Sequence, residues 1–196
     1  LQHNVRVGSL TKLTDTGGID VQLVTGIRMS KTLTMVVGFL FIGVNVLLVE
    51  KRTPLWQSGL YNGVGGKVEP EETVEDAIVR EFFEETTFDP RSMGAKAWRR
   101  FCVEHGESDQ YGKYVCTFFT TSIPDIGQDR FVELVRRIPH ENDAQEPLRW
   151  CSMLRLPSNI IGNLHWLLPM ACDWRHVSTI TVTTKENHIS RKPAWP

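Results

Sequence analysis

Two runs of β-branched and aromatic residues, 35–42 and 45–50, read as core strands turned at Gly43-Val44-Asn45. A glycine-rich stretch, 59–66, follows them. Apolar positions in 72–86 recur at helical spacing, and Pro70, Glu71 and Glu72 suit the N-terminal turn of that helix electrostatically. Segments 97–104 and 113–121 alternate like an antiparallel strand pair joined by the polar loop 106–112. The polar segment 123–146 carries Pro124, Pro139 and a short helix at 130–136. A strand at 148–153, a helix at 163–174 containing Pro169 and a strand at 177–184 complete the pattern, before a loose tail. Upstream, strands at 5–13 and 21–25 are joined by Asp15-Thr16-Gly17-Gly18. Strands and helices so mixed predict an α+β fold. It is organised as an N-terminal extension (1–34), a central domain (35–176) and a C-terminal strand and tail (177–196).

With 196 residues, 41% of them hydrophobic and 23% charged, the chain belongs with ordinary globular proteins. A net charge of −1 and no basic patch interleaved with aromatics argue against a nucleic-acid partner. The apolar run 35–49 is shorter than a membrane helix and broken by Gly38, Gly43 and Asn45, so no membrane partner is expected. No basic-then-apolar secretory signal is read at the start of the chain. Cys102, Cys116, Cys151 and Cys172 are far apart and lie in apolar surroundings, as buried free thiols in a reducing, cytoplasmic setting would. A homodimer is left open.

The near-neutral total hides a concentration of acid. Between Gly66 and Asp89, 24 residues hold nine of the 23 acids and only two bases. On a helix, Glu81, Glu84 and Glu85 fall within one arc of about 100 degrees that borders the apolar side. Like charges so spaced repel unless a cation or a guanidinium neutralises them, and oxygen donors suit Mg2+ or Mn2+. A solvated acidic face is the alternative on spacing alone.

The segment Gly66-Lys67-Val68-Glu69-Pro70-Glu71-Glu72, then seven residues, then Arg80-Glu81-Phe82-Phe83-Glu84-Glu85-Thr86-Thr87-Phe88 closely resembles the Nudix box. One fixed position departs: Thr87 stands where the family has a glycine, and a β-branched residue is ill suited to a positive φ. The resemblance implies a Nudix α/β/α sandwich with a mixed sheet and a catalytic loop-helix-loop. It implies that Glu81, Glu84 and Glu85, with a Gly65 carbonyl, hold Mg2+ or Mn2+ against a diphosphate. Glu81 or a neighbour then orients or deprotonates the attacking water. It further gives Arg80 the positioning of Glu81, Glu72 and Gly66 the architecture of the box, and Lys67 a phosphate contact.

Trp56, Gly59, Tyr61 and Asn62-Gly63-Val64-Gly65-Gly66-Lys67-Val68-Glu69 resemble the lead-in of MutT-like and oxidised-purine nucleoside triphosphatases. A nucleoside triphosphate is therefore the expected substrate, hydrolysed to a monophosphate and pyrophosphate, with an oxidised purine as the leading base. By the same resemblance Asn62 reads a purine edge, unless it stabilises the turn before Gly63. Trp150, in Glu146-Pro147-Leu148-Arg149-Trp150, stacks on the base, unless it is core. The acidic pair of the mammalian oxidised-purine enzymes is missing from 159–164, and Asn163 is the candidate base reader in its place, or the N-cap of the last helix. One of the loop acids Glu141, Asp143 and Glu146 assists the metal, or all three are solvated. His105, His140 and His165 are given no role. The alternative substrate is a nucleoside diphosphate linked to another group, such as ADP-ribose or a nucleotide sugar. A non-catalytic binding module is disfavoured because all three box glutamates are kept.

Overall fold

The structure, a computed structural model, describes residues 12–13, 19–20, 32–108, 112–140, 142, 146–173 and 178–185. The chain divides into two compact units, Leu1–Lys31 and Thr32–Pro196. In the first, β1 (Lys12–Leu13) pairs antiparallel with β2 (Ile19–Asp20), Lys12 opposite Asp20 and Leu13 opposite Ile19. β1 is the end of the first expected strand, whereas β2 begins before the second. The rest of the first expected strand, the turn and the whole of the second expected strand (21–25) lie outside the described residues.

The second unit is built on β3 (Leu33–Ile42), β4 (Asn45–Glu50), β5 (Tyr61–Asn62), β6 (Arg99–Ser108), β7 (Gly112–Ile123), β8 (Leu148–Ser152) and β9 (Ile180–Lys185). Their order is β5-β4-β3-β7-β6-β9, with β8 also paired to β4. The sheet is mixed, since β3–β7 and β6–β9 run parallel and the other named pairs antiparallel. The β6–β7 hairpin follows the alternation expected for it, though its strands run further, to Ser108 and from Gly112.

Alternation along β3 and β4 sends side chains to two cores. Leu40, Ile42, Leu47 and Val49 face α1 (Val74–Thr86) and α2 (Gly127–Arg137), meeting Phe82 and Leu134. Phe39, Phe41, Val46 and Leu48 face the opposite side, where α3 (Leu164–Cys172) lays down Leu164, Leu167 and Leu168. This is the three-layer α/β/α sandwich. Two residues anchor α1: Ile78, packed with Val36 and Phe119, and Phe82, whose ring lies 5.1 Å from that of Trp98. Full burial of such side chains contributes about 1.5–3 kcal/mol each.

Several details differ from the sequence pattern. Helix α1 starts at Val74 because Thr73 caps it, accepting from the Asp76 amide at 3.1 Å, so Glu72 lies before the helix. Phe83, although apolar and in the helix, is exposed. Cys102, Cys116 and Cys151 are buried free thiols, but Cys172, at the end of α3, is exposed. Pro169 lies inside α3 as expected. Among the described residues no helix is long and apolar enough to cross a membrane.

Candidate functional site

The chain from Val64 to Val68 lies against β3, with Gly38 N–H donating to the Val64 carbonyl (2.7 Å), Val36 N–H to the Gly66 carbonyl (2.9 Å) and Val68 N–H to the Thr34 carbonyl (3.0 Å). This close approach from one side, and α1 from the other, explains the two glycines. A Cβ on Gly65, at φ 154°, would stand 2.2 Å from the Val36 carbonyl oxygen, and one on Gly66 would stand 2.5 Å from Glu81 Oε2.

Arg80 ties this strand to the helix. Its Nε and Nη2 donate to the two oxygens of Glu72 at 2.8 Å each, Nη2 also reaches the Lys67 carbonyl at 3.0 Å, and Nη1 lies 3.0 Å from both Glu81 Oε1 and Glu84 Oε2. Glu72 accepts in addition from the Glu69 amide at 3.0 Å. The guanidinium first, and then that amide, hold the Glu72 carboxyl down at about 2. In return the Glu72 carboxylate, against the effect of burial, raises the pKa of Arg80. The bidentate pair fixes the entry into α1.

At the other end of the helix Thr87 adopts φ 52°, ψ 19°, and its amide donates to the Phe83 carbonyl at 2.7 Å. The left-handed exit that glycine supplies in the family is thus retained with a strained residue. Replacing Thr87 with glycine is expected to stabilise the protein by up to about 1 kcal/mol, because relief of β-branched strain exceeds the added unfolded-state entropy. Equilibrium urea unfolding measures it, and a loss of stability would contradict the strain argument.

The three carboxylates on α1 occupy different surroundings. Glu84 is 57% exposed in its side chain, Glu81 only 15%. Burial raises the Glu81 pKa, Arg80 opposes this, and Glu84 and Glu72 add to it. Glu85 turns furthest inward, and its Oε2 is buried without a hydrogen-bond partner. Burial pushes its carboxyl up to about 7, with Lys51 and the Gly65 amide working against the shift and Glu146 and Glu81 adding to it. No cluster of three His, Cys, Asp or Glu groups stands preassembled as a metal cage among the described residues. The chemistry of the donors nevertheless suits a hard cation. Glu85 carries an orphaned buried oxygen, the Glu81 carboxylate lies against a glycine backbone, and the charges of all three need offsetting. Arg80 supplies part of that offset.

Of the loop acids, Glu141 and Asp143 lie outside the described residues. Glu146 is not solvated: it is 2% exposed and forms an ion pair with Lys51. It also accepts from the Arg52 amide (2.8 Å), the Thr53 amide (3.3 Å) and Asn142 Nδ2 (3.3 Å). Burial opposes its charge, but Lys51 and the two amides prevail and hold the pKa below its ordinary value. Glu146 therefore braces the loop after β4, and puts Lys51 at the edge of the main cavity.

That cavity, about 530 Å3, brings together Lys51, Asn62, Gly65, Gly66, Lys67 and Asn163. Asn62 Oδ1 accepts from the Gly63 amide at 2.8 Å, so it does stabilise the turn while lining the cavity. Asn163 stands before α3, but its side chain makes no cap bond. It donates instead to Glu104 Oε2 at 3.5 Å. Trp150 is elsewhere. It pairs with Leu47 in register, packs edge-on against Phe131 of α2 at 5.3 Å, and belongs to the core on the α1 and α2 side, while the cavity opens on the α3 side. A base in the cavity cannot stack on it.

Sequence reading assigned no role to several cavity residues, among them Lys51, Trp56, which is 56% exposed, buried Glu104, and Tyr114. Trp56 had a signal, as it opens the stretch that ends in the box. Glu104 and Tyr114 had only strand alternation, which does not say which face meets a ligand. His105, His140 and His165 are exposed and do not line the cavity.

The fold has known relatives. No curated protein sequence matches the chain. Among solved structures it is similar to a NUDIX hydrolase from Nitrosomonas europaea (14% identity, TM-score 0.59), over 90% of this chain and 94% of that one. It is similar to a MutT NUDIX hydrolase from Burkholderia pseudomallei (17% identity, TM-score 0.51), over 71% and 98%. It is also similar to the NUDIX domain of Shewanella oneidensis NrtR, complexed with ADP ribose (20% identity, TM-score 0.53), over 72% and 86%. The NUDIX domain family model matches residues 32–166 of the 196, so with box, sandwich and family model in agreement the chain belongs to the Nudix family.

Proposed function

We propose that this Nudix hydrolase cleaves a nucleoside triphosphate, with an oxidised purine nucleotide as the leading candidate, into a nucleoside monophosphate and pyrophosphate with the help of Mg2+ or Mn2+. The observation that carries this is the two-ended cavity. Lys67 lies opposite Met35, Met35 opposite Cys116, and Cys116 opposite Glu104. Three strand spacings, about 14 Å, therefore separate the box glycines from the polar end at Glu104 and Asn163. One end suits a poly-anion and the other a nucleobase, at the reach of a single nucleotide.

Glu81, Glu84, Glu85 and the Gly65 carbonyl would hold the cation, which when bound supplies Lewis acidity and offsets charge on the diphosphate. Arg80 keeps Glu81 and Glu84 oriented from Nη1 and relieves their mutual repulsion. The Glu81 carboxylate, set between Arg80 and the Gly66 backbone, or a neighbouring glutamate would orient or deprotonate the attacking water. Lys67, exposed at the cavity rim, meets phosphate charge. Trp56 takes over the stacking role first given to Trp150, and Asn62 and Asn163 face the base.

A second reading, cleavage of ADP-ribose or a nucleotide sugar, is favoured by the resemblance to the ADP-ribose-bound domain, whose TM-score of 0.53 compares with 0.51 for the MutT enzyme. Incubation with normal and oxidised nucleoside triphosphates, ADP-ribose and nucleotide sugars, with and without Mg2+, separates the two. Release of pyrophosphate from a triphosphate is the expected result. Cleavage of ADP-ribose or a sugar nucleotide with every triphosphate untouched would replace the first reading by the second.

A further inference from the structure

Glu104 is a carboxylate 7% exposed in the wall of the substrate cavity, three strands from the box. Its Oε1 accepts from Thr184 Oγ1 at 2.8 Å and from the Tyr114 hydroxyl at 3.3 Å. Those two hydroxyls fix the orientation of the carboxylate. Oε2 has the Asn163 amide at 3.5 Å, a distance at the outer limit of a hydrogen bond. Asn163 Oδ1 is itself buried and has no partner. Buried acceptors left so poorly satisfied are costly unless a ligand brings the donors.

We propose that Glu104 is a specificity-determining residue, accepting together with Asn163 Oδ1 from a base edge with two neighbouring N–H donors, as guanine has in its ring N–H and exocyclic amine. This rests on the nucleotide reading of the cavity. Adenine and cytosine set a donor beside an acceptor on that edge, which would place acceptor against acceptor. Hypoxanthine keeps the ring N–H but lacks the amine, leaving one buried oxygen unpaired. Sites built to satisfy such groups discriminate strongly against ligands that leave them unmade.

The same geometry makes Thr184 a positioning residue. It lies on β9, which pairs parallel with β6 so that Val182 is opposite Glu104 and Thr184 opposite Gly106. This strand lies beyond residues 32–166, the part of the chain that matches the family model. The C-terminal strand of this protein thus contributes to base selection.

The test uses the full chain. Guanosine, inosine and adenosine are titrated by calorimetry, and kcat and KM are measured for GTP, ITP and ATP. The wild type is expected to favour guanosine over both others by about 10-fold or more. Glu104→Gln, which replaces an acceptor with a donor, is expected to bring the three within about 3-fold. Thr184→Val should weaken the preference through KM rather than kcat, and Thr184→Ser should restore it. Should Glu104→Gln fail to fold by circular dichroism, the Thr184 pair decides. A wild type that does not distinguish the three nucleosides, or variants that weaken all three equally, would overturn the proposal. Guanosine selectivity that depends on Glu104, in a protein that hydrolyses no triphosphate, would uphold it and overturn the triphosphate reading instead.

Discussion

Replacing Glu81 with glutamine is expected to lower kcat by about 100-fold or more at saturating Mg2+, in line with losses of 10- to 100-fold or more when metal ligands or their supports are damaged. Glutamine keeps the shape that the Gly66 backbone accommodates and removes only the charge. The fold should survive, because Arg80 retains its two bonds to Glu72 and the Lys67 carbonyl. Glu84→Gln should behave alike in turnover and cost still less stability, since its side chain is 57% exposed and it gives up only a helical ion pair of about 0.3–0.5 kcal/mol. Steady-state kinetics alongside circular dichroism and thermal unfolding provide the measurement. Turnover near wild type in both variants would remove α1 from the catalytic site.

Helical spacing alone grouped Glu81, Glu84 and Glu85, and the box resemblance made that grouping specific, but spacing could not rank them. Their ranking depends on what packs against the helix. Glu84 looks to solvent, whereas Glu85 is drawn in beside the Gly65 amide and the Lys51–Glu146 pair, whose members are 95 residues apart. Long-range pairing of that kind has no local signature. Thr87 was legible as an anomaly, and the left-handed φ of 52° follows from the need to close the helix with the Phe83 carbonyl whatever side chain is there.

Strand residues were harder to read because a one-residue change of register exchanges the faces. The pattern of 148–153 identified β8, yet whether Trp150 or Cys151 meets the cavity side depends on pairing with β4. Leu47 is opposite Trp150 and Val46 opposite Cys151, so Trp150 goes to the α2 side and Cys151 to the α3 side. Glu104 presents the converse case. As an acid near a strand end it carries no local sign of burial, and only the pairing of β6 with both β7 and β9 covers it with Tyr114 and Thr184.

Glu85→Gln is expected to stabilise the cation-free protein by about 1–2 kcal/mol at pH 8 and to abolish the stabilisation that Mg2+ confers on the wild type. Burial holds this carboxyl at about 7, above its ordinary 4.5. The folded state therefore binds more protons than the unfolded chain between those two values. Cation-free wild-type protein should lose stability as pH rises from about 4.5 to about 7, and lose no more from this group above that. Glutamine carries no charge to bury, so the part of the slope that Glu85 contributes should vanish, leaving that of Glu81. Mg2+ bound only to the folded state at about 100 times its Kd would add about 2.7 kcal/mol to the wild type. The variant lacks the charge that draws the cation in, and should gain little. Thermal unfolding from pH 5 to pH 8, with EDTA or with Mg2+, distinguishes the outcomes. A variant less stable than wild type at pH 8 that still gains fully from Mg2+ would make Glu85 a packing residue, and leave the cation to Glu81, Glu84 and the Gly65 carbonyl.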